Sequence, residues 1–419
     1  MLTVRYRRGV VVEYGYDAVA FDPTGLTPHP AFVSHAHADH SAAFKHPDLW
    51  KGSTEETRRL VEALRGEMGI NWGELRPGGS TKVGEIEVRA HNAGHVLGSL
   101  LLEASTPEGT VLYTGDFNVG DSYTMEAAEG VECDLLVIET TFASPLFSFP
   151  SRREIALEMV RWAVFDVIPR GRIPAFRTDP IGNAQEIITI FNRYTNLPVL
   201  TMGNVTRASD VYRAYSFQLE YVDAESEEGL ELLRDGRCIL IAPKGSKLVL
   251  LSELGQTSLG HASGGSGLTP DRLEPAIASG WAAIMRGRSS KPFPLSDHSD
   301  FKGILRFIRS CRPKKVLTFH GTALSQGFPE YLRRRLSIEA YPLTARGEGV
   351  TLRPRSEERV RRCCEHLLLE LRSGFIYRPS WLMRAMALRG YSRDETQEAI
   401  RRLVERGILT EDEEGVKLI

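Results

Sequence analysis

Short apolar runs broken by Gly, Pro and Asp dominate the first 140 residues. VVVEYG, AVAFD, AFVSHA, IEVRAH, GSLLLEAS, TVLYTGD and DLLVIET are rich in β-branched and aliphatic side chains and predict strands. Helical patterns interrupt them between Thr54 and Met68, and residues 151–165 (SRREIALEMVRWAVF) repeat their apolar positions near the 3.6 period of a helix. From about 145 to 290, helical stretches alternate with GRIPAF, LPVLTM and RCILIAP, the signature of a parallel or mixed sheet. Within this region, residues 255–268 (GQTSLGHASGGSGL) read as a loop. VLTFHG and SIEAYPL then return as strands, and ARGEGVTLRPRSEE reads as a linker. Beyond it the pattern predicts helices over residues 357–372, over WLMRAMALRG and over RDETQEAIRRLVERG, the last opened by a capping box of Ser392 and Glu395. ILTEDEEGVKLI reads as a hairpin, which completes the outline of a winged helix-turn-helix.

Composition narrows the picture only a little. A chain of 419 residues, 42% hydrophobic and 25% charged, has the balance of a globular protein of two or three domains. It contains no apolar run of the ~18 residues needed to span a membrane. The opening MLTVRYRRGVVVEYGYDAVAFD lacks a cleavable apolar segment, so a cytoplasmic protein is expected. The net charge of −2 offers no bulk attraction to nucleic acid; such a partner would need a local basic groove or a metal. Cys133, Cys238, Cys311, Cys363 and Cys364 are scattered without a CxxC pair, as small buried hydrophobes would be.

The chemistry is concentrated in Ser34-His35-Ala36-His37-Ala38-Asp39-His40, directly after an apolar strand. Imidazole nitrogen and carboxylate oxygen are good Zn²⁺ ligands, and alternate residues of one loop can face two metals. His95 in AGHVLGS, Asp116 in YTGDF and His320 in TFHGT each lie beside Gly near the end of an apolar run. Asp116, with two oxygens, could bridge two metals about 3.5–4 Å apart, an arrangement that generates hydroxide at neutral pH and stabilises the attacking and leaving oxygens of a phosphodiester.

These motifs resemble the metallo-β-lactamase fold and, within it, the β-CASP nucleases. HAHADH matches the second motif of the fold, AGHVLGS the third and TGDF the fourth, while Asp22 in AFDP matches the first. Glu139 in VIETTF, His298 in PLSDHSD and His320 in FHGT match the three β-CASP motifs, and PAFRTDPIGNAQE resembles a further family segment. AFVSHAHADH, CDLLVIETTFASPLFSFPS, VYRAY, ASGWAAIMRG and LSDHSDFKGILRFI are similar to the DNA-ligase-associated exonucleases, relatives of the Artemis group. The resemblance covers about residues 10–345. The implied fold class is α/β: a metallo-β-lactamase αββα sandwich over 1–143 and 291–345, an inserted β-CASP α/β domain over 144–290 and a winged-helix-like domain over 355–419. Two features depart from the family pattern: Arg177-Thr178-Asp179-Pro180 replaces a Leu-Gly step, and the C-terminal domain is outside the common core.

The resemblance implies two Zn²⁺ ions, with Mn²⁺ also compatible. His35, His37 and His95 would hold one, Asp39, His40 and His320 the other, and Asp116 both, with Asp22 supporting the loop from behind. It implies hydrolysis of nucleic acid by a bridging hydroxide, with Asp39 in the catalytic set, His298 as general acid and Glu139 orienting it or raising its pKa. A single-stranded DNA 5′-3′ exonuclease of DNA repair is the leading expectation. The alternatives are an RNA-processing or RNA-decay enzyme, a non-catalytic scaffold and a small-molecule hydrolase. Ser279, Gly280, Arg286 and Arg288 are candidate phosphate contacts, and Lys244 is a weaker one. Trp281 reads as a core residue that could instead stack on a base. His91 is a candidate supporting residue, and His261 lies in the Gly/Ser loop; His29, His46 and His366 look incidental. In the C-terminal domain, Arg393, Arg401 and Arg402 could face DNA, although the acidic hairpin would repel it. A protein partner or a dimer is the equal alternative there.

Overall fold

A computed structural model describes residues 1–66, 71–246, 272–285, 289–344, 349–352, 357–412 and 415–419. Its contacts divide into two units, Thr3–Val350 and Thr351–Ile419, the latter also including Met1–Leu2. Among the described residues, no helix is long and apolar enough to cross a membrane.

Three sheets build the larger unit. In the first, β1 (Leu2–Tyr6), β2 (Val10–Tyr14), β3 (Asp17–Phe21), β4 (Ala31–Phe32), β5 (Lys51–Ser53) and β6 (Trp72–Glu74) lie side by side in chain order. β2 and β3 form an antiparallel pair, and β3 through β6 run parallel. Helix α1 (Glu55–Arg65) follows β5, and the Thr54 hydroxyl caps it by accepting from Thr57 N. The second sheet begins with β7 (Ser80–Val83), β8 (Ile86–Asn92), β9 (Leu100–Thr106), β10 (Gly109–Tyr113) and β11 (Leu135–Glu139). It is completed by β18 (Lys315–Phe319) and β19 (Glu339–Pro342), in the order β19-β18-β11-β10-β9-β8-β7. Phe21 of β3 stacks on Tyr113 of β10 with centroids 5.4 Å apart, and Phe319 of β18 lies 5.0 Å from the same ring. Rings from both sheets thus meet at the end of the sandwich where the conspicuous histidines lie.

The third sheet is parallel throughout, in the order β14-β13-β15-β12-β16-β17. Its strands are β12 (Ile173–Thr178), β13 (Val199–Thr201), β14 (Val222–Asp223), β15 (Ile239–Pro243), β16 (Leu273–Ala278) and β17 (Lys291–Phe293). Parallel strands need crossovers, and α3 (Asn183–Tyr194), α4 (Asn204–Ala214) and α5 (Glu227–Asp235) occupy them. The buried faces of α3 and α4 share one core with Ala31, Val33 and Leu60 of the first layer, so the insertion packs against the sandwich. β17 lies just past the boundary expected at 290. Before the sheet, α2 (Arg152–Arg161) opens on a Ser151/Glu154 capping box, and a π-helical turn over Trp162–Val167 continues it. The single helix expected over 151–165 is therefore composite. After β17 come α6 (Phe301–Cys311), whose N-cap is Asp300, and α7 (Phe328–Leu336).

The smaller unit contains α8 (Glu357–Glu370), β20 (Ile376–Tyr377), α9 (Pro379–Leu388), α10 (Arg393–Glu405), β21 (Leu409–Glu411) and β22 (Val416–Leu418). β22 pairs antiparallel with both β20 and β21, which gives the winged-helix outline. Ser392 and Glu395 form the expected capping box of α10. Its Arg401 and Arg402, candidates for DNA contact, are instead matched within the unit by Glu398, Glu405 and Glu357.

Candidate metal centre

The parallel register of both sheets builds the site. β3 and β4 run parallel, as do β10, β11 and β18, and the chain emerging from their C-terminal ends carries the polar residues. Asp22 follows β3, residues 34–40 follow β4, Asp116 follows β10, Glu139 ends β11 and His320 follows β18. Ligand sites in open α/β sheets concentrate at such strand ends. His95 comes from the turn between β8 and β9, and His298 from the segment before α6. Asp22 and His320 adopt left-handed φ values of 45° and 51°, strain of the kind held at functional positions. Gly115, at φ +50°, brings the chain so near the metal-motif loop that a Cβ would stand 2.6 Å from Ser34 Oγ.

His35, His37, His95 and Asp116 direct one ligand atom each into a common point, all within 4.8 Å of one another. His37 Nδ1 lies 3.1 Å from both His35 Nε2 and His95 Nε2, and Asp116 Oδ2 lies 3.5 Å from His35 Nε2. Tetrahedral ligands at ~2.0–2.1 Å from Zn²⁺ stand roughly 3.3 Å apart, so this spacing suits one ion. Asp39, His40 and His320 form a second group. His40 Nε2 lies 3.4 Å from Asp116 Oδ2 and His320 Nδ1 3.7 Å from Asp116 Oδ1, so Asp116 belongs to both groups. His40 Nε2 and Asp116 Oδ1 are buried without a hydrogen-bond partner among the described residues. Buried polar atoms are normally satisfied, and two lone pairs aimed at one gap fit a cation. The second group is the more open, with the Asp39 and His320 side chains 64% and 40% exposed.

The electrostatics agree with this chemistry. Burial pushes His35 and His37 below the ordinary imidazole range and His95 down to about 4, toward the neutral form that binds metal. Burial opposes the charge on Asp116, yet His40 and His298 beside it hold the carboxyl well below its usual range. Burial also opposes the charge on His40, but Asp116 and Asp22 outweigh it and raise the ring to about 9. That position therefore calls for positive charge.

Asp22 organises the loop. Its Oδ1 accepts from Ser34 N at 2.7 Å, and its Oδ2 accepts from Ser34 Oγ at 2.5 Å and Tyr113 OH at 2.9 Å and meets His40 Nδ1 at 2.7 Å. A proton on His40 Nδ1 leaves Nε2 as the lone pair facing Asp116. Opposite, His298 Nδ1 lies 2.9 Å from Glu139 Oε1, and its Nε2 points toward Asp116 Oδ2, 4.0 Å away. Burial lowers the His298 pKa less than Glu139 and Asp116 raise it, and the ring ends well above its ordinary range. Glu139 is itself held by Phe117 N and Thr141 N.

A cavity of about 500 Å³ opens over these residues, and Asp39, Asp116, His298 and His320 lie in its wall with Asp179, Ile181 and Asn204 of the insertion. Several contributors lie within the motif segments without having stood out there as site residues: Ser34 and Tyr113, Asp297, whose carbonyl lies 2.9 Å from His95 Nδ1, and Ile181, whose carbonyl lies 3.4 Å from His37 Nε2. Asp179, in the departure from the family pattern, pairs with Lys244 at 2.5 Å. Ser279 and Gly280 do not line the cavity, and a Cβ on Gly280 would stand 2.4 Å from the Phe142 ring, so Gly280 serves packing. Trp281 packs edge-on against Phe142 and Phe147. His91 pairs with Glu103 at 2.8 Å, and His366 with Tyr391. Arg286, Arg288 and His261 lie outside the described residues.

No family model matches the chain. It is 28% identical over 319 residues to a probable DNA ligase of Opitutus terrae, covering 75% of this chain and 28% of that protein. It is 27% identical to an RNase J-like protein of Methanocaldococcus jannaschii, covering 69% of this chain and 80% of the relative. It is 24% identical to Integrator complex subunit 11 of Danio rerio, over 64% of this chain and 50% of that one. A crystal structure of a protein of unknown function from Enterococcus faecalis V583 shares the fold, with a TM-score of 0.56 and 17% identity over 83% of this chain and 99% of that one. These relatives and this arrangement of strand-end ligands make the chain similar to the β-CASP nucleases of the metallo-β-lactamase fold.

Proposed function

We propose that this protein is a metal-dependent nuclease that hydrolyses phosphodiester bonds, acting on single-stranded DNA from the 5′ end in DNA repair. One observation carries the reading: Asp116 belongs to the His35, His37 and His95 group and lies 3.4 Å from His40 and 3.7 Å from His320 of the second, and the His298–Glu139 pair is aimed at the same carboxylate. Two zinc ions held there would supply Lewis acidity and a hydroxide nucleophile at neutral pH. His35, His37 and His95 would hold one ion, Asp39, His40 and His320 the other, and Asp116 both. Asp22 keeps His40 in its ligating tautomer. His298 gives a proton from Nε2 to the leaving 3′-oxygen while Glu139 compensates the charge at Nδ1. In this reading residues 1–143 and 294–345 form the metal-binding domain, 144–293 the β-CASP cap, whose sheet β17 completes, and 355–419 an accessory domain.

Similarity to a probable DNA ligase over 75% of the chain favours DNA as the substrate. The second reading, an RNA-processing enzyme, draws on the RNase J-like relative, 80% of whose length is covered. The test is cleavage by purified protein of end-labelled single-stranded DNA and RNA, each with a 5′-phosphate or 5′-hydroxyl, beside an Asp39→Ala/His40→Ala variant. Mononucleotides shed from the 5′-phosphorylated DNA and absent with the variant are expected. Preferential cleavage of RNA would replace DNA with the second reading, and no metal-dependent cleavage of any substrate would overturn the nuclease assignment.

A further inference from the structure

The cavity wall holds four carboxylates, Asp39, Asp116, Asp179 and Asp297, but among its described residues only one Lys or Arg, Arg65. Arg65 is the last residue of α1, and Gly66 ends the helix at φ +87° directly behind it. Its Nη1 is buried and has no hydrogen-bond partner among the described residues. The nearby arginines of the same helix pair within it, Arg58 with Glu62 at 2.5 Å and Arg59 with Glu55 at 3.4 Å, although Arg58 Nε is likewise buried without a partner among the described residues; neither lies in the cavity wall. Burial works against the charge on Arg65 and lowers its pKa, and Asp39 in the more open ligand group offsets this only in part. Arg65 is thus the one Lys or Arg among the described residues of an otherwise acidic cavity wall, the charge that a polyanion entering there would meet. Planar N–H donors match the non-bridging oxygens of a phosphodiester.

We propose that Arg65 is a substrate-binding residue that grips a backbone phosphate of the nucleic acid on the Asp39 side of the cavity. The proposal rests on the nuclease reading. It assigns binding of the polymer to Arg65 and leaves the proton at His298. Nothing in the contact depends on the sugar, so Arg65 serves DNA and RNA alike.

The experiment compares wild type with Arg65→Lys and Arg65→Met on a 5′-phosphorylated single-stranded oligonucleotide. Steady-state kinetics are read together with binding of a fluorescent oligonucleotide to the chelator-treated protein across a salt series. Arg65→Met should raise KM about ten- to a hundredfold, the size of one charged hydrogen bond, with a smaller fall in kcat. The slope of log affinity against log salt should shrink by about 0.7, one phosphate contact on a single strand. Arg65→Lys should recover the slope and part of the KM, because it keeps the charge and loses the fork. Unchanged KM and salt slope in a folded Arg65→Met, judged by an unaltered melting temperature, would overturn the proposal. A wild type that neither cleaves nor binds any oligonucleotide would instead overturn the nuclease reading.

Discussion

Asp22 shows how much of the site depends on a residue that need not touch metal. It holds a left-handed backbone and accepts from Ser34 N, Ser34 Oγ and Tyr113 OH while it meets His40 Nδ1. Asp22→Ala should leave these buried groups unpaired and cost on the order of 3 kcal/mol in urea unfolding. It should also weaken metal binding about 10–100-fold in a chelator competition, the usual effect of losing such a partner. A variant that binds zinc as tightly as wild type would show that Asp22 does not orient His40. Glu139 makes a kinetic prediction. A general acid works while protonated, so a raised His298 pKa keeps activity to higher pH and loses it as pH rises through that value. Removing the Glu139 charge lowers the His298 pKa. In Glu139→Gln the alkaline limb of kcat/KM should therefore move to lower pH. A limb that stays in place while the rate falls would give Glu139 a different role.

At the scale of elements, helix starts pin loops to the site. Arg152 lies in the first turn of α2, where its Nε donates to Asp121 O at 2.8 Å and its Nη2 to Ser296 O at 2.7 Å, two residues before His298. Its Nε also lies 3.0 Å from Oε1 of Glu186 on α3, a carboxylate only 2% exposed. Burial raises the Glu186 pKa, and Arg152 works against that rise. Arg152→Met leaves a buried carboxylate without its cation and should destabilise by about 3–5 kcal/mol. Adding Glu186→Gln should recover much of the loss in thermal denaturation, because the stranded charge is then gone. A double variant no better than the single one would assign the effect to the carbonyl contacts instead.

Across the whole molecule, the candidate centre is held by distant stretches of chain. His95 meets a carbonyl 202 residues away, and Glu139 meets His298 across 159 residues. Metal binding should therefore stabilise the fold itself. By mass action, free metal at a hundredfold excess over Kd contributes about 2.7 kcal/mol. Exhaustive chelation should lower the melting temperature by several degrees, and added Zn²⁺ or Mn²⁺ should restore it. Identical melting curves with and without chelator, together with less than one bound ion per chain by elemental analysis, would rule out a structural contribution from metal.

Much of the candidate site was legible because metal ligation depends on residue type at short range. HAHADH carries four candidate ligands on one loop, and strand-end motifs beside Gly marked His95, Asp116 and His320. The capping box at Ser392 and Glu395 was readable for the same local reason. Other features came only with tertiary structure. AFVSHA looked like a longer strand, but β4 stops at Phe32 because Ser34 N bonds to Asp22 rather than to a neighbouring strand. β16 and β17 were hidden by Pro275 and Pro292, which read against strands yet lie in a parallel ladder. Gly280 looks like part of a phosphate-binding turn until Phe142 is seen packed against it. The polar character of Asp297, Tyr113 and Arg65 is plain in the sequence, but nothing local separates them from ordinary residues. Their places were decided by packing between sheets and insertion, which brings far-apart residues together without leaving a spacing to read.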